Sequence, residues 1–401
     1  FFFDQLQDKM NKSFTILRGH HNQYQWGRVG SESLVYHIQN VSGKVGELKQ
    51  EERYSELWMG THPNGPSIVD ESGDSLSKFL QESGAPFDKL PFLFKVLSID
   101  KPLSIQAHPD KKLAEELHKN SPHIYKDDNH KPEMACALTP FEALCGFRKN
   151  SDIHSLLSAF GAELVELLGG NSILKQLQTD NGEETLKNIF ATLMELDDKL
   201  VSEKENQMME RITLNEKPSD FENLLKYVHS HFPGDVGVFC VFLLNYIKLQ
   251  PGQAIFLGPN LPHAYLSGNC IECMACSDNV VRAGLTPKLR DANTLCNMLE
   301  YNQSPVDVLT GNIIDEYCSS YSVPVNEFIL YRVSINDSLK KYSMPRPEND
   351  YPAILLTLKG KATLSNGDNQ TVNLKEGEII YIPPGISLEF LDIEDCLEVY
   401  Y

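Results

Sequence analysis

Two stretches of the chain align without a gap: "LQPGQAIFLGPNLPHAY" (249–265) and "LKEGEIIYIPPGISLEF" (374–390). Leu249 matches Leu374, Gly252 matches Gly377, Phe256 matches Tyr381 and Pro259 matches Pro384. A turn glycine, a short β-rich strand and a proline-bearing bend make one hairpin unit. Its double use confines much of the chain to a repeated antiparallel β architecture. One position separates the copies: His263 falls opposite Leu388. For a packing residue, leucine is an ordinary replacement. For a ligand, the first copy is active and the second is a structural echo.

The surrounding pattern agrees. From 236 onward the chain reads as short strands ("VGVFCVFLLNYIKL", "AIFL", "FILYRVSI", "AILLTLKGKATL", "TVNLKEGEIIYI", "LEVYY") broken by Gly, Pro and Asn. This is the signature of a sandwich or jelly roll. Residues 14–100 are mixed. "SLVYHI" and "PFLFKVLSI" read as strands, and "ELWMGTHPNGPS" (56–67) as a loop rich in turn chemistry. Residues 111–150 carry short helix signals such as "KKLAEELHKN". Residues 151–232 change to helical spacing, with Ser or Asp near the starts. From 151 to 235 there are 16 acidic and 7 basic residues, so this block reads as an acidic helical insert, polar outside.

A chain of 401 residues implies two or three domains. The net charge of −19 excludes nucleic acid and anionic membrane as natural partners. No apolar run is long enough to span a bilayer. The start "FFFDQLQDKM" lacks the basic flank and apolar length of a secretory signal. Residues 1–9 are expected to be an added or trimmed terminus, with Met10 as a candidate native start. Nine cysteines, an odd number, argue for reduced thiols and a cytoplasmic location. "CIECMAC" (Cys270, Cys273, Cys276) has the spacing of half a zinc ribbon, but no second pair lies at ribbon distance. Its spacing of three suits alternating burial around a bend, so these are read as buried thiols.

The candidate chemistry begins at "SIQAHPD" (104–110). The preceding "LFKVLSID" reads as a buried strand with Lys95 as its one basic residue. Residues two apart in a strand share a face, which pairs Gln106 with His108, and Pro109 ends the strand. Downstream, "NHKPEMACA" supplies His130, Lys131 and Glu133. Gln106, His108, Glu133 and His263 together offer two imidazoles, a carboxylate and an amide oxygen. Such a set suits Zn²⁺, with Fe²⁺, Co²⁺ and Mn²⁺ as alternatives. "SDNVVRAGLTPKLRD" concentrates Arg282, Lys288 and Arg290 just past His263, in an otherwise acidic chain. A local anion site is one reading of that cluster and a solvated patch the other.

Several long motifs, in order, resemble the type I phosphomannose isomerase family of zinc-dependent cupin enzymes. They are "NQYQWGRVG", "ELWMGTHPNGPS", "KVLSIDKPLSIQAHPDK", "NHKPEMACALTPFEALCGFR" and "GPNLPHAYLSGNCIECMACSDNVVRAGLTPK". The resemblance spans the chain from about residue 14. It implies a mainly β fold with α: two related cupin-type jelly-roll domains and a helical insert. The catalytic cupin domain would comprise 10–150 and 236–300, the insert 151–235, and a cupin-like domain lacking metal ligands 301–401.

The resemblance also implies function. The family interconverts mannose 6-phosphate and fructose 6-phosphate, a step that feeds GDP-mannose supply. The Gln and His of "QAH", the Glu of "HKPE" and the His of "PHAY" are its zinc ligands, here Gln106, His108, Glu133 and His263, holding one Zn²⁺ per chain. Arg282 matches an active-site arginine. Lys288, Ser104 and Lys112 match groups near the phosphate, with Trp26 and Tyr265 as further substrate-binding candidates. Lys95, His130, Lys131, Asp278 and Glu272 match residues proposed for proton transfer. A monomer acting on a phosphorylated hexose is expected. The chain departs from the family in reading "YQWG" where "YAWG" is common, next to Trp26. Two rival readings are an iron oxygenase on a cupin scaffold and a non-catalytic sugar-phosphate sensor. Gln106 as a fourth ligand leaves the first few open positions, and a sensor would be expected to lack ligands or Arg282.

Overall fold

The computed structural model describes residues 14–85, 87–179, 182–336, 339–345, 351–367 and 370–401. The expectations for residues 1–9 and for Met10 lie outside them. Among the described residues the chain forms an 11-stranded and a 10-stranded sheet, joined by helices.

The hairpin repeat is a structural repeat. In the first copy, Leu244–Leu249 leads through Gly252 into Ala254–Leu257 and then the long strand His263–Ala275. In the second, Thr371–Leu374 leads through Gly377 into Ile379–Ile382 and then Glu389–Tyr400. Gly252 and Gly377 have φ of 84° and 81°, a left-handed turn that side chains with a Cβ rarely adopt. The two copies belong to different sheets: the first to the 11-stranded, the second to the 10-stranded.

The 11-stranded sheet curls into a jelly roll because one strand serves both of its walls. The start of His263–Ala275 pairs with Phe141–Phe147 and with Gln106; its remainder runs between Phe92–Ile99 and Glu133–Ala137. Period-2 alternation then sorts the side chains. Val96, Ile271, Cys273 and Met134 face one core, shared with Leu356, Ile379 and Tyr381 of the other sheet and with helix Leu34–Ser42. Leu97, Cys270, Ala135 and Leu257 face the jelly-roll interior with Phe141, Ala143 and Tyr265. Cys270 and Cys273 thus lie on opposite faces of one continuous strand rather than around a bend. Each fully buried aliphatic in these cores contributes about 1.5–3 kcal/mol. The chain's first described strand, Thr15–Arg18, joins the C-terminal sheet by pairing with Ile379–Ile382.

Among its described residues the insert forms six helices, from Asn150–Phe160 to Asp220–His231. Two starts are capped as their sequences dictate: Asp197 accepts from Lys199 N and Leu200 N, and Ser219 forms a capping box with Glu222. Their apolar stripes (Val201, Met208, Ile212; Leu224, Leu225, Val228) pack in a core that continues into Phe147, Ala264 and Val281 of the jelly roll.

Three local expectations are corrected. "SLVYHI" is not a strand but the start of helix Leu34–Ser42. Ser33 accepts from Val35 N and Tyr36 N, and Gly43 closes the helix at φ 66°. "ELWMG" is not loop but the fully buried strand Glu56–Gly60, between His20–Asn22 and Phe92–Ile99; the turn residues act only after Gly60. "VGVFC" is not strand but a helical turn, Gly237–Cys240, preceding the strand Leu244–Leu249. Every residue from Val236 to Leu244 is buried, so the run carried no alternation to distinguish the two states.

Candidate active site

Phe92–Ile99, Glu133–Ala137 and His263–Ala275 align Lys95, Glu272 and Ala135 across the inner face, with Glu133 one pleat further along. The strand Ile105–Ala107 lies against the start of His263–Ala275, Gln106 opposite His263. On its other side Gln106 stands opposite Arg282 in Val281–Gly284. Register therefore gathers residues from four separate sequence motifs at one end of the barrel.

His108, Glu133 and His263 form a fully buried cluster whose candidate ligand atoms lie within 4.8 Å of one another. His108 Nδ1 lies 2.7 Å from the Asn279 carbonyl oxygen, and His263 Nδ1 2.9 Å from that of Leu261. A carbonyl oxygen only accepts, so each Nδ1 carries the proton and donates. Each Nε2 is left with a lone pair, 3.4 Å from Glu133 Oε2. These three atoms are buried and none makes a hydrogen bond. Burial, and then the Lys131 charge, push the His108 pKa down to about 4, so its ring stays neutral. For Glu133 burial alone favours the acid, but its neighbours, the Lys131 ammonium first, outweigh it and hold the carboxylate well below its usual range. Three converging lone-pair atoms with no hydrogen between them fit a bound cation, and the nitrogen and oxygen donors fit zinc.

The other sequence-predicted residues divide into two groups. Lys131 Nζ donates to Glu133 Oε1 at 2.8 Å, leaving Oε2 toward the histidines. Lys95 Nζ donates to Glu272 Oε2 at 2.9 Å. Burial by itself would lower the Lys95 pKa, but Glu272, Glu56 and Glu133 outweigh it and hold the ammonium above the usual lysine range. Ser104 Oγ donates to Gln106 Oε1 at 3.1 Å. The Tyr265 hydroxyl is buried near Glu272 and Glu133, without a hydrogen-bond partner. Half-buried Arg282 and exposed Lys288 are close enough that burial and the Arg282 charge lower the Lys288 pKa.

The rest make their contacts outside this buried cluster. His130 Nε2 pairs with Glu327 Oε1 at 2.5 Å. Asp278 sits at the rim, taking a hydrogen bond from Asn64 at 3.1 Å with His62 at 3.5 Å. His62 also orders its own turn, accepting from Asn64 N. Lys112 is exposed on the first turn of Lys111–Asn120. Trp26 is half-buried against the inner core, and its carbonyl accepts from Asp100 N and Lys101 N.

Two further residues stand beside Lys95, and of these Glu56 was left out of the sequence reading. Trp58 lies opposite it in the ladder, with Lys95 Nζ 5.2 Å from the ring centroid. Glu56 is buried next to it, and burial, ahead of any charge, raises its pKa. The available signal was an acid and a tryptophan two apart in a strand, obscured by reading "ELWMG" as loop.

A jelly roll that holds a buried His–Glu–His cluster beside a lysine–glutamate pair defines a metal-dependent enzyme of the cupin type. Comparison with known proteins narrows the class. Residues 15–150 match the family model described as phosphomannose isomerase type I, catalytic domain, and residues 165–244 match its helical insertion domain. A human mannose-6-phosphate isomerase is 40% identical over 404 residues, covering 94% of this chain and 95% of its own. Mannose-6-phosphate isomerase 1 of Arabidopsis thaliana is 39% identical, covering 94% and 90%. A crystal structure of zinc-bound mannose 6-phosphate isomerase superposes with a TM-score of 0.80 at 31% identity, covering 97% of this chain and 99% of that one. The chain belongs to the type I phosphomannose isomerase family.

Proposed function

We infer that this chain is a zinc-dependent aldose–ketose isomerase that interconverts mannose 6-phosphate and fructose 6-phosphate. The observation that carries the reading is the convergence of His108 Nε2, His263 Nε2 and Glu133 Oε2, beside a buried Lys95–Glu272 pair. Gln106, His108, Glu133 and His263 would hold the ion. When bound, zinc supplies a Lewis acid beside the sugar oxygens and lowers the cost of enediolate charge.

The chain's own groups do the rest. In the aldose-to-ketose direction the proton on C2 is carried to C1, while a hydroxyl proton leaves O2 and another is gained at O1. Glu272 is assigned the carbon-bound proton, because Lys95 Nζ, itself held protonated, fixes its carboxylate in place at 2.9 Å. Lys131 is assigned the oxygen-bound protons, next to Glu133. His130, tied to Glu327, and rim-bound Asp278 are read as shaping the mouth of the site. Arg282, beside Gln106 in the ladder, is assigned the developing oxyanion charge. Lys288, Ser104 and Lys112 take the phosphate, and Trp26 and Tyr265 the sugar. Binding energy at the phosphate then orients C1 and C2.

The domain division of catalytic jelly roll (10–150, 236–300), helical insert (151–235) and ligand-free C-terminal jelly roll (301–401) is part of the same proposal. So are a monomeric state, a cytoplasmic location and a contribution to GDP-mannose supply. Nine cysteines, all free thiols, support a reducing compartment. Among the described residues no helix is long and apolar enough to cross a membrane.

The test is direct. The protein is incubated with mannose 6-phosphate and fructose 6-phosphate is followed, before and after a chelator strips the metal and Zn²⁺ is restored. Activity lost and regained supports the reading. No turnover by protein shown to hold zinc sinks it in favour of a sugar-phosphate sensor.

A further inference from the structure

We propose that Asp235, at the exit of the helical insert, is a positioning residue that sets the loop joining Arg282 to Lys288 and so tunes the grip on the phosphate of the substrate. The proposal rests on reading those two cations as substrate groups. It gives the acidic insert a part in catalysis that its own side chains do not otherwise show.

Asp235 follows the helix Asp220–His231. Its Oδ1 accepts from Gly237 N and from Leu285 N, both at 2.7 Å. Its Oδ2 accepts from Thr286 N at 3.1 Å. One carboxylate thus binds the start of the Gly237–Cys240 turn to two consecutive amides of the distant loop. Leu285 sits between them with φ 54° and its side chain buried. For a leucine that backbone costs on the order of 1 kcal/mol or more, so it persists only where its surroundings impose it. The flanking amide bonds to Asp235 supply that constraint.

Close backbone contact reinforces it. A Cβ on Gly284 would lie 2.7 Å from Gly237 Cα and 2.8 Å from Asp235 Oδ1. A Cβ on Gly237 would lie 2.7 Å from Leu285 N. Two glycines therefore let the insert's exit turn press directly on the loop. Gly284 ends the strand that carries Arg282, and the ladder to Ile105–Ala107 is irregular between those two residues. Beyond Leu285, Lys288 N donates to Thr286 Oγ1 at 3.1 Å. Further on, Arg290 reaches Asp198 of the insert helix Asp198–Thr213 at 2.7 Å. The loop is held by the insert on both sides of Lys288.

The experiment is steady-state kinetics on zinc-loaded Asp235→Ala, Asp235→Asn, Asp198→Ala and Lys288→Ala, with inorganic phosphate as competitor. For Asp235→Ala, KM for mannose 6-phosphate and the inhibition constant of phosphate should both rise about tenfold, while kcat stays within about threefold. Zinc content by elemental analysis should match the parent. Asp235→Asn retains an oxygen for Gly237 N and Leu285 N and should recover most of the affinity. Asp198→Ala, a surface change that cannot collapse the fold, should raise both constants about twofold to threefold. An unchanged KM and phosphate constant in Asp235→Ala and Asp198→Ala, with Lys288→Ala impaired, overturns the proposal alone. If Asp235→Ala does not fold, unchanged constants in Asp198→Ala overturn it. If Lys288→Ala leaves both constants unchanged, the phosphate reading itself falls.

Discussion

The imidazoles of His108 and His263 stand 5.1 Å apart, tilted by 46°, each locked by a backbone carbonyl so that its free nitrogen faces the same oxygen of Glu133. Neither ring needs to turn to bind a metal. The arrangement is costly without a cation, because three desolvated acceptors confront one another.

The hairpin repeat provides a substitution already accommodated by the same local geometry. His263→Leu places in the first copy the residue buried at Leu388 in the second. The variant should fold, with a melting temperature close to that of metal-free parent. Its zinc affinity should fall by more than about 100-fold, since loss of a direct ligand exceeds the loss of an outer partner. Elemental analysis after dialysis checks it; a variant that keeps stoichiometric zinc would refute the ligand assignment.

Asp127 organises the segment that locks His108. Its Oδ1 accepts from Ser277 Oγ at 2.7 Å and from Asn279 Nδ2 at 3.2 Å, and its Oδ2 accepts from Asp278 N at 2.7 Å. Asp127→Ala should loosen the Asn279 carbonyl and weaken zinc binding about 10–100-fold. Competition against a chelator of known affinity measures this without relying on turnover.

Lys95 and Glu272 are both buried, so removing one charge strands the other. Lys95→Met should destabilise the protein by about 3–5 kcal/mol. Adding Glu272→Gln should restore most of that stability while leaving the enzyme inactive. Denaturant unfolding of the double-mutant cycle, alongside the isomerase assay, separates the structural part from the chemical one. Additive losses of stability would show that the two residues do not act as a pair.

The insert also contains a fully buried acid, Glu205, which takes a hydrogen bond from His229 Nδ1 at 2.6 Å. Burial, the largest cause, raises its pKa to about 7. The folded state then binds more protons than the unfolded state between about pH 4.5 and pH 7, so stability falls as pH rises through that window. Glu205→Gln should remove this loss, gaining roughly 1–3 kcal/mol at pH 8 and little at pH 4.5. Urea unfolding at the two pH values checks the sign; an equal effect at both would exclude titration of Glu205 as its source.

What could be read from sequence was what neighbouring residues encode. "QAH", "HKPE" and "PHAY" carry their donors within a few residues, and the glycine-to-proline spacing of the hairpin repeats itself. The insert's helices announce themselves through Asp197, Ser219 and an apolar stripe of helical period. The same local logic failed where burial erased the period, as in "VGVFC", and where a serine cap and a closing glycine were passed over, as in "SLVYHI".

Tertiary structure decided the rest. Trp58, Lys95 and Glu272 meet because three strands pair in one register, and a shift of one residue would turn each to the opposite face. Asp235 reaches Leu285 through backbone amides, whose availability no side-chain pattern records. The sequence by itself determined which donors exist and the period of the elements that carry them. Only the packed sheets decided which donors face one another, because cross-strand hydrogen bonds and shared burial act between residues far apart in the chain.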